Sequence, residues 1–173
     1  MRRGAPIAAA LLASALAALA LSAAAENPAS EDWRPFTATW TLSGERQSLS
    51  TEGLRPASII HLSGPLTLTS GEGLGRGFLG EVIGFDDGGT LLVGRAAFVD
   101  EHGDKVFCTL KAQPIGSGRR VTATISGGTG RFSGLEGEFS LVWQYVVEQD
   151  GEQVSLRTAN VEGRTRRGGG APR

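Results

Sequence analysis

Ser126-Gly127-Gly128-Thr129-Gly130-Arg131-Phe132-Ser133-Gly134-Leu135-Glu136-Gly137 is a glycine-punctuated turn between two runs of strand character, Arg120 to Ile125 and Glu138 to Val147. Downstream of it Phe139, Leu141, Trp143, Tyr145 and Val147 alternate with Glu138, Ser140, Val142, Gln144 and Val146. A period of two in aromatic and β-branched residues is a strand pattern. That pattern disposes of the phosphate-cradle reading that clustered glycines invite. A P-loop ends in Lys-Ser/Thr and opens a helix, because the lysine and the helix N-terminus hold the phosphate charge. Neither is present, and a dinucleotide fingerprint fails for the same reason. The glycines read instead as turn positions with positive φ and as room for close backbone approach. Phe132 is expected to tuck under the turn as a plug.

Working outward, the same rhythm recurs. Phe36, Ala38, Trp40 and Leu42 alternate with Thr37, Thr39, Thr41 and Ser43, which predicts a half-buried strand. Gly44 to Arg55 reads as a polar connection with room for a short strand near Gln47 to Ser50. Ala57 to Ser70 is a long strand in which Gly64-Pro65 predicts a bend or bulge. Leu74 to Phe85, Leu91 to Val99, Lys105 to Lys111 and Gln153 to Arg164 complete the set. The tight turns between them are Asp86 to Gly89, Asp100 to Asp104, Pro114 to Gly118 and Glu148 to Glu152. About eight strands at even spacing with no amphipathic helix predict an all-β fold. A small antiparallel eight-stranded β-barrel is favoured over a sandwich, since closure removes the edge strands.

The run Gly-Gly-Thr-Gly-Arg-Phe-Ser-Gly-Leu-Glu-Gly, entered from Val121-Thr-Ala-Thr-Ile125, resembles the signature turn of the allene oxide cyclase-like and dirigent-like barrels. The resemblance is tight from Val121 to Phe139, and elsewhere only the rhythm of strands and glycines agrees. It implies an eight-stranded antiparallel barrel with an interior pocket, assembled as a homo-dimer or homo-trimer. The related plant cyclase folds a reactive fatty-acid epoxide with the help of a carboxylate, an asparagine-held water and a cysteine. This chain has Glu81, Glu138, Asn160 and Cys108, but they do not match the family pattern residue by residue, so no role is carried over. Dirigent relatives steer radical coupling with little chemistry of their own.

The first 25 residues read as a secretory signal peptide: Arg2 and Arg3, an Ala/Leu stretch from Ile7 to Leu21, and Ala23-Ala24-Ala25 as the cleavage site. The stretch is too short and alanine-rich for a membrane span, so no transmembrane segment is expected after cleavage. A periplasmic or secreted protein follows. Residues 26–35 read as a flexible leader, 36–166 as the barrel and 167–173 as a disordered Gly/Arg tail. Cleavage removes two of the 17 basic residues and none of the 18 acidic ones, leaving a net charge of −3. Such a chain has no electrostatic reason to bind nucleic acid or an anionic membrane. The one cysteine, Cys108, cannot form an internal disulfide, and its strand neighbours Val106 and Leu110 predict burial.

Chemistry has few places to sit. His61, His102 and Cys108 offer no metal-ligand spacing, and the acidic turn around His102 reads as solvated. No nucleophile elbow occurs. No motif asks for a cofactor. Trp40, Phe78, Phe98, Cys108, Trp143 and Tyr145 are candidates to line an interior apolar pocket, with Tyr145 hydroxyl or indole N–H as polar handles; the competing reading is that they fill the core. Of the strand-borne charges Glu81, Arg95, Glu138 and Arg157, the two carboxylates are the catalytic candidates, since burial would raise their pKa and suit them to acid–base work. Solvent exposure is the competing expectation. Arg164, Arg166 and Arg167 form a basic cluster read as a solubilising end. The leading expectation is an exported barrel, not an enzyme, that binds a small apolar molecule. The alternatives are a cyclase- or dirigent-type barrel steering a reactive intermediate, and a structural or protein-interaction module with a filled core.

Overall fold

A computed structural model describes residues 32–50, 52–89, 92–116, 118–149 and 153–168, without the side chains of residues 145–149, 153, 156, 157 and 159. The strands are β1 (Arg34–Leu49), β2 (Ala57–Gly71), β3 (Gly77–Asp86), β4 (Leu92–Val99), β5 (Lys105–Ile115), β6 (Gly118–Gly128), β7 (Leu135–Gln149) and β8 (Gln153–Arg167). They form a closed antiparallel barrel in sequence order, with β1 also pairing β8. The all-β, eight-stranded barrel expected from the sequence is therefore the fold. Among the described residues the one helical segment is a single 3₁₀ turn, Gly130–Phe132, inside the signature turn.

Alternation places the core. Phe36, Ala38, Trp40 and Leu42 of β1, Val82 of β3, Cys108 and Leu110 of β5, and Phe139, Leu141 and Trp143 of β7 all point inward and are buried. Their neighbours along each strand face solvent, which is the two-residue period of the pleat made visible. Burial of these rings and branched chains, at about 25 cal/mol per Å² of apolar area, is the main force holding the barrel closed.

The structure departs from the sequence reading at several points. The polar stretch after Ser43 is no connection: β1 runs unbroken to Leu49 and pairs with β2 as far as Leu49↔Ala57. Polar residues can continue a strand where both partners supply backbone hydrogen bonds. The strand also begins at Arg34, inside the span read as a leader. Gly64-Pro65 is not a bulge. The β1 ladder keeps one offset across it, from Trp40↔Leu66 to Ser43↔Ser63, and pairing with β3 is continuous through Gly64↔Gly80 and Pro65↔Leu79. Proline cannot donate a ladder hydrogen bond; the unpaired stretch lies on the β1 side, where the Gly64 carbonyl accepts the Trp40 indole N–H at 3.2 Å. Register shifts on β1 lie instead at Thr37/Ala38 against β2 and at Ala38/Trp40 against β8, and others fall at Phe107/Cys108 between β5 and β6 and at two places between β7 and β8. The shift at Ala38/Trp40 reverses alternation along β8, so that Thr158 and Val161, of opposite parity, are both fully buried.

Leu74 is not strand but loop, and β3 starts at Gly77. Inside β3, Gly80 faces the rings. A Cβ there would lie 2.8 Å from Trp40 Cζ2 and 2.9 Å from Phe98 Cε1. Close approach of two aromatic rings to the strand requires this glycine. Gly80→Ala is therefore expected to cost about 1–3 kcal/mol through overpacking, despite the gain in strand propensity. A fall in the urea midpoint with unchanged slope measures it.

Candidate functional site

The barrel has two ends. One carries the loops 72–76, 100–104 and 129–134 together with the start of β1 and the finish of β8. Around this end the interior rings form a continuous set. Trp40 lies 4.9 Å from Phe98, which meets Phe139 at 6.0 Å and Phe78 at 6.4 Å. Phe78 continues to Phe132 at 5.5 Å, and Phe139 to Phe36 at 6.2 Å. Edge-on and tilted arrangements at these spacings suit the ring quadrupoles. Phe132 is 2 % exposed and does plug the barrel from beneath the signature turn.

A gap of about 30 Å³ remains among these side chains, walled by Phe36, Leu66, Leu68, Leu74, Phe78, Phe98, Val106, Cys108, Ile125, Leu135 and Phe139. That is room for a water or two, but a water needs polar partners and this lining has none beyond a thiol. Of the six residues singled out for a pocket, Phe78, Phe98 and Cys108 line the gap. Trp40 and Trp143 are buried in the core outside its wall, the Trp40 N–H spent on Gly64. Tyr145 belongs to β7, and its side chain lies outside the described residues. The aliphatic part of the wall, Leu66, Leu74 and Leu135 above all, was missed.

Both candidate carboxylates stand on the outer surface. Glu81 Oε1 is 2.8 Å from His61 Nε2, and Glu138 accepts two hydrogen bonds from Arg164, at 2.9 Å from Nε and 2.6 Å from Nη2. Each is more than half exposed. Arg95 is exposed too, Asn160 is exposed on β8, and the Arg157 side chain lies outside the described residues. Among the described residues no group of acidic, histidine or cysteine side chains is arranged to hold a metal ion. Burial pushes the Cys108 thiol up to about 12, away from the thiolate that a nucleophile needs.

The signature turn is tied to the β4–β5 turn by a cluster the sequence did not reveal. Asp100, read as part of a solvated loop, has a wholly buried side chain. Its Oδ1 accepts the backbone N–H of His102 at 2.8 Å and of Asp104 at 2.9 Å, and its Oδ2 meets Arg131 Nε at 2.7 Å. Burial alone would raise this carboxyl; the two backbone donors, Arg131 and His102 outweigh it and hold Asp100 below its ordinary value of 3.8. Its contribution to stability is therefore in place above that pH and lost as acid takes the group below it. Asp104 accepts the Arg131 N–H at 3.1 Å, while Thr129 and Lys105 exchange hydrogen bonds at 2.8 and 2.9 Å. The arginines expected on a solubilising end are built into β8. Arg164 pairs Glu138, Arg166 pairs Glu136 at 3.1 Å, and the Trp33 ring lies 4.6 Å from both guanidinium carbons. Arg34, Arg131, Arg166 and Arg167, with Asp32 and Glu72, rim a hollow of about 150 Å³ floored by Leu74, Phe132 and Leu135.

No family model matches the sequence, and no curated protein does. Among solved structures the chain is similar to a pterocarpan synthase dirigent protein. The likeness covers 81 % of this chain and 94 % of that one, at 14 % identity and a TM-score of 0.46. The barrel architecture itself rests on the strand pairing described above. Among the described residues no helix is long and apolar enough to cross a membrane.

The Cys108 thiol provides a direct check on the interior. It should resist a thiol reagent in the native protein at pH 8 and react at once in denaturant. Because its folded pKa lies above the unfolded value, stability should hold below about pH 9 and fall as pH rises toward 12, by about 1.4 kcal/mol per unit. Urea midpoints across that range, compared with Cys108→Ala, measure the slope.

Proposed function

We propose that this protein is an exported, non-catalytic barrel that takes a small apolar molecule into the turn end of its interior. One observation carries the reading: the gap beneath Leu74 has a wall of apolar side chains and lies directly under the rimmed hollow, with Leu74 and Leu135 shared between the two. In this reading Leu74 is the part that moves. It sits on a loop between Gly73 and Gly75, at φ of 84° and 89°, conformations that glycine adopts without strain. Withdrawing the Leu74 side chain would join gap and hollow into one pocket with an apolar floor and a charged mouth. An apolar cavity of roughly 150 Å³ is enough for a benzene-sized guest. Export is proposed on the residues of the first segment, which lie outside the described part of the chain.

A second reading, a cyclase- or dirigent-type barrel that steers a reactive intermediate, would use the same space. It would act by shape, since both candidate carboxylates are on the outside. It parts from simple binding if the protein changes the product ratio of a reaction run in its presence.

Leu74→Ala should lose about 2–3 kcal/mol, toward the lower part of the range for a buried leucine because the site is a loop. Saturating benzene should then raise the Tm of the variant by more than that of the wild type, as a guest binding only the native state must. Native mass spectrometry of the exported protein should show a small mass released on denaturation. A bare mass, with benzene shifting neither Tm, would overturn this reading in favour of a module with a filled core.

A further inference from the structure

The three loops of the turn end are linked by one side chain. The backbone of Arg131 is fixed on both sides: its N–H donates to Asp104 Oδ2 at 3.1 Å, and its carbonyl accepts Arg167 Nη2 at 3.0 Å. From that anchored position the side chain reaches across the end of the barrel. Nε meets the buried Asp100 carboxylate at 2.7 Å, and the guanidinium carbon stands 4.8 Å from the centre of the Phe132 ring. Nη2 extends to the loop 72–76, where it lies 2.7 Å from the place that a Cβ on Gly75 would take. Glycine at this position leaves the room that the guanidinium occupies.

The loop 72–76 has little else to hold it. Leu74 is its one buried residue. Among the described residues its one backbone hydrogen bond to the rest of the chain runs from the Leu68 N–H to the Arg76 carbonyl, at 3.1 Å. Gly73 and Gly75 flank Leu74 at positive φ, where rotation meets little steric resistance. A segment so sparsely tied opens locally at a free energy well below that of global unfolding, unless a contact from outside pins it. Arg131 supplies such a contact. Its guanidinium is oriented by Asp100, itself held by the backbone N–H groups of His102 and Asp104.

We propose that Arg131 is the latch of the Leu74 loop, a positioning residue that sets how readily the interior opens. The inference rests on the reading that withdrawal of Leu74 admits a guest, and it says what governs that withdrawal. While the guanidinium lies against Gly75, Leu74 stays seated over the gap. When the guanidinium swings off, the loop turns about Gly73 and Gly75, and gap and hollow join. Lysine cannot replace it. An ammonium would still satisfy Asp100, but it lacks the planar fork that reaches the carboxylate and the loop at the same time.

Cys108 lines the gap under Leu74 and so reports the opening. The test is its rate of modification by methyl methanethiosulfonate, a small uncharged thiol reagent, in the intact protein at urea concentrations below the unfolding transition. The wild type should react only through global unfolding, with a rate that climbs steeply with urea. Arg131→Lys should react about tenfold faster or more, at a rate nearly flat in urea, the mark of a local opening that exposes little surface. Gly75→Ala, which pushes the guanidinium off from the loop side, should do the same, and the two changes together should add little to either. In the Leu74→Ala background, where the gap is already open, Arg131→Lys should have no further effect. If Arg131 only stabilised the fold, its replacement would lower the urea midpoint and keep the steep slope. That result, or wild-type rates in both single variants, would overturn the latch. Fast modification of Arg131→Lys with no benzene effect on any Tm would uphold the latch and sink the guest-binding reading. Benzene stabilising Leu74→Ala while Arg131→Lys leaves Cys108 shut would do the reverse.

Discussion

Everything in this molecule depends on β1 being paired along both edges. Its ladder with β2 runs from Phe36 to Leu49 and its ladder with β8 from Arg34 to Glu45. Without the second ladder the sheet would be open, with two edges exposing unmet backbone donors and acceptors, and the inward rings would have no opposite wall. Closure turns a one-sided apolar face into a core. The two register shifts on β1, at Thr37/Ala38 and Ala38/Trp40, fall within the ladders that close the ring. The fully buried Thr158 is tolerable in that setting because its hydroxyl reaches the Trp40 carbonyl at 3.3 Å, satisfying a polar group that burial would otherwise penalise.

Much of this was legible in the residues, for a physical reason. Where a strand has one wet and one dry face, the sequence must alternate, and Phe36 to Leu42, Lys105 to Lys111 and Glu138 to Trp143 do so. The closing ladder could be inferred only because a sheet of this size needs its edges hidden. The misread places are those where tertiary contacts replace pattern. Polar residues after Ser43 continue a strand because neighbours on both sides supply hydrogen bonds. Leu74 packs inward from a loop, so no periodicity marks it. The reversal along β8 between Thr158 and Val161 breaks the alternation on which the reading relies.

The site was harder to see than the fold. A buried Asp100 beneath an exposed-looking turn leaves no trace in a run of acidic residues; its partner Arg131 is close to thirty positions away and joined to it by the barrel alone. The aromatic residues were visible, but whether rings line a cavity or fill it is a question of tenths of an ångström. Here the glycine at position 80 lets two rings press against the strand wall, and the gap left over is small. Glu81 and Glu138 show the same limit. Alternation puts them on the face opposite their buried neighbours, so their outward aim follows from the rule that located the core.

Trp33 and the paired start of β1 bring both ends of the described chain to one place. Arg34 sits opposite Thr165, and the Trp33 ring packs against Arg164 and Arg166 on the adjoining strand. A continuous cylinder whose first and last strands are hydrogen-bonded has no privileged starting point. Joining the two ends by a few residues and opening the chain in the β3–β4 connection would preserve every ladder. In the language of chain topology the fold is a ring, and the order in which its strands are synthesised is incidental to the structure they reach.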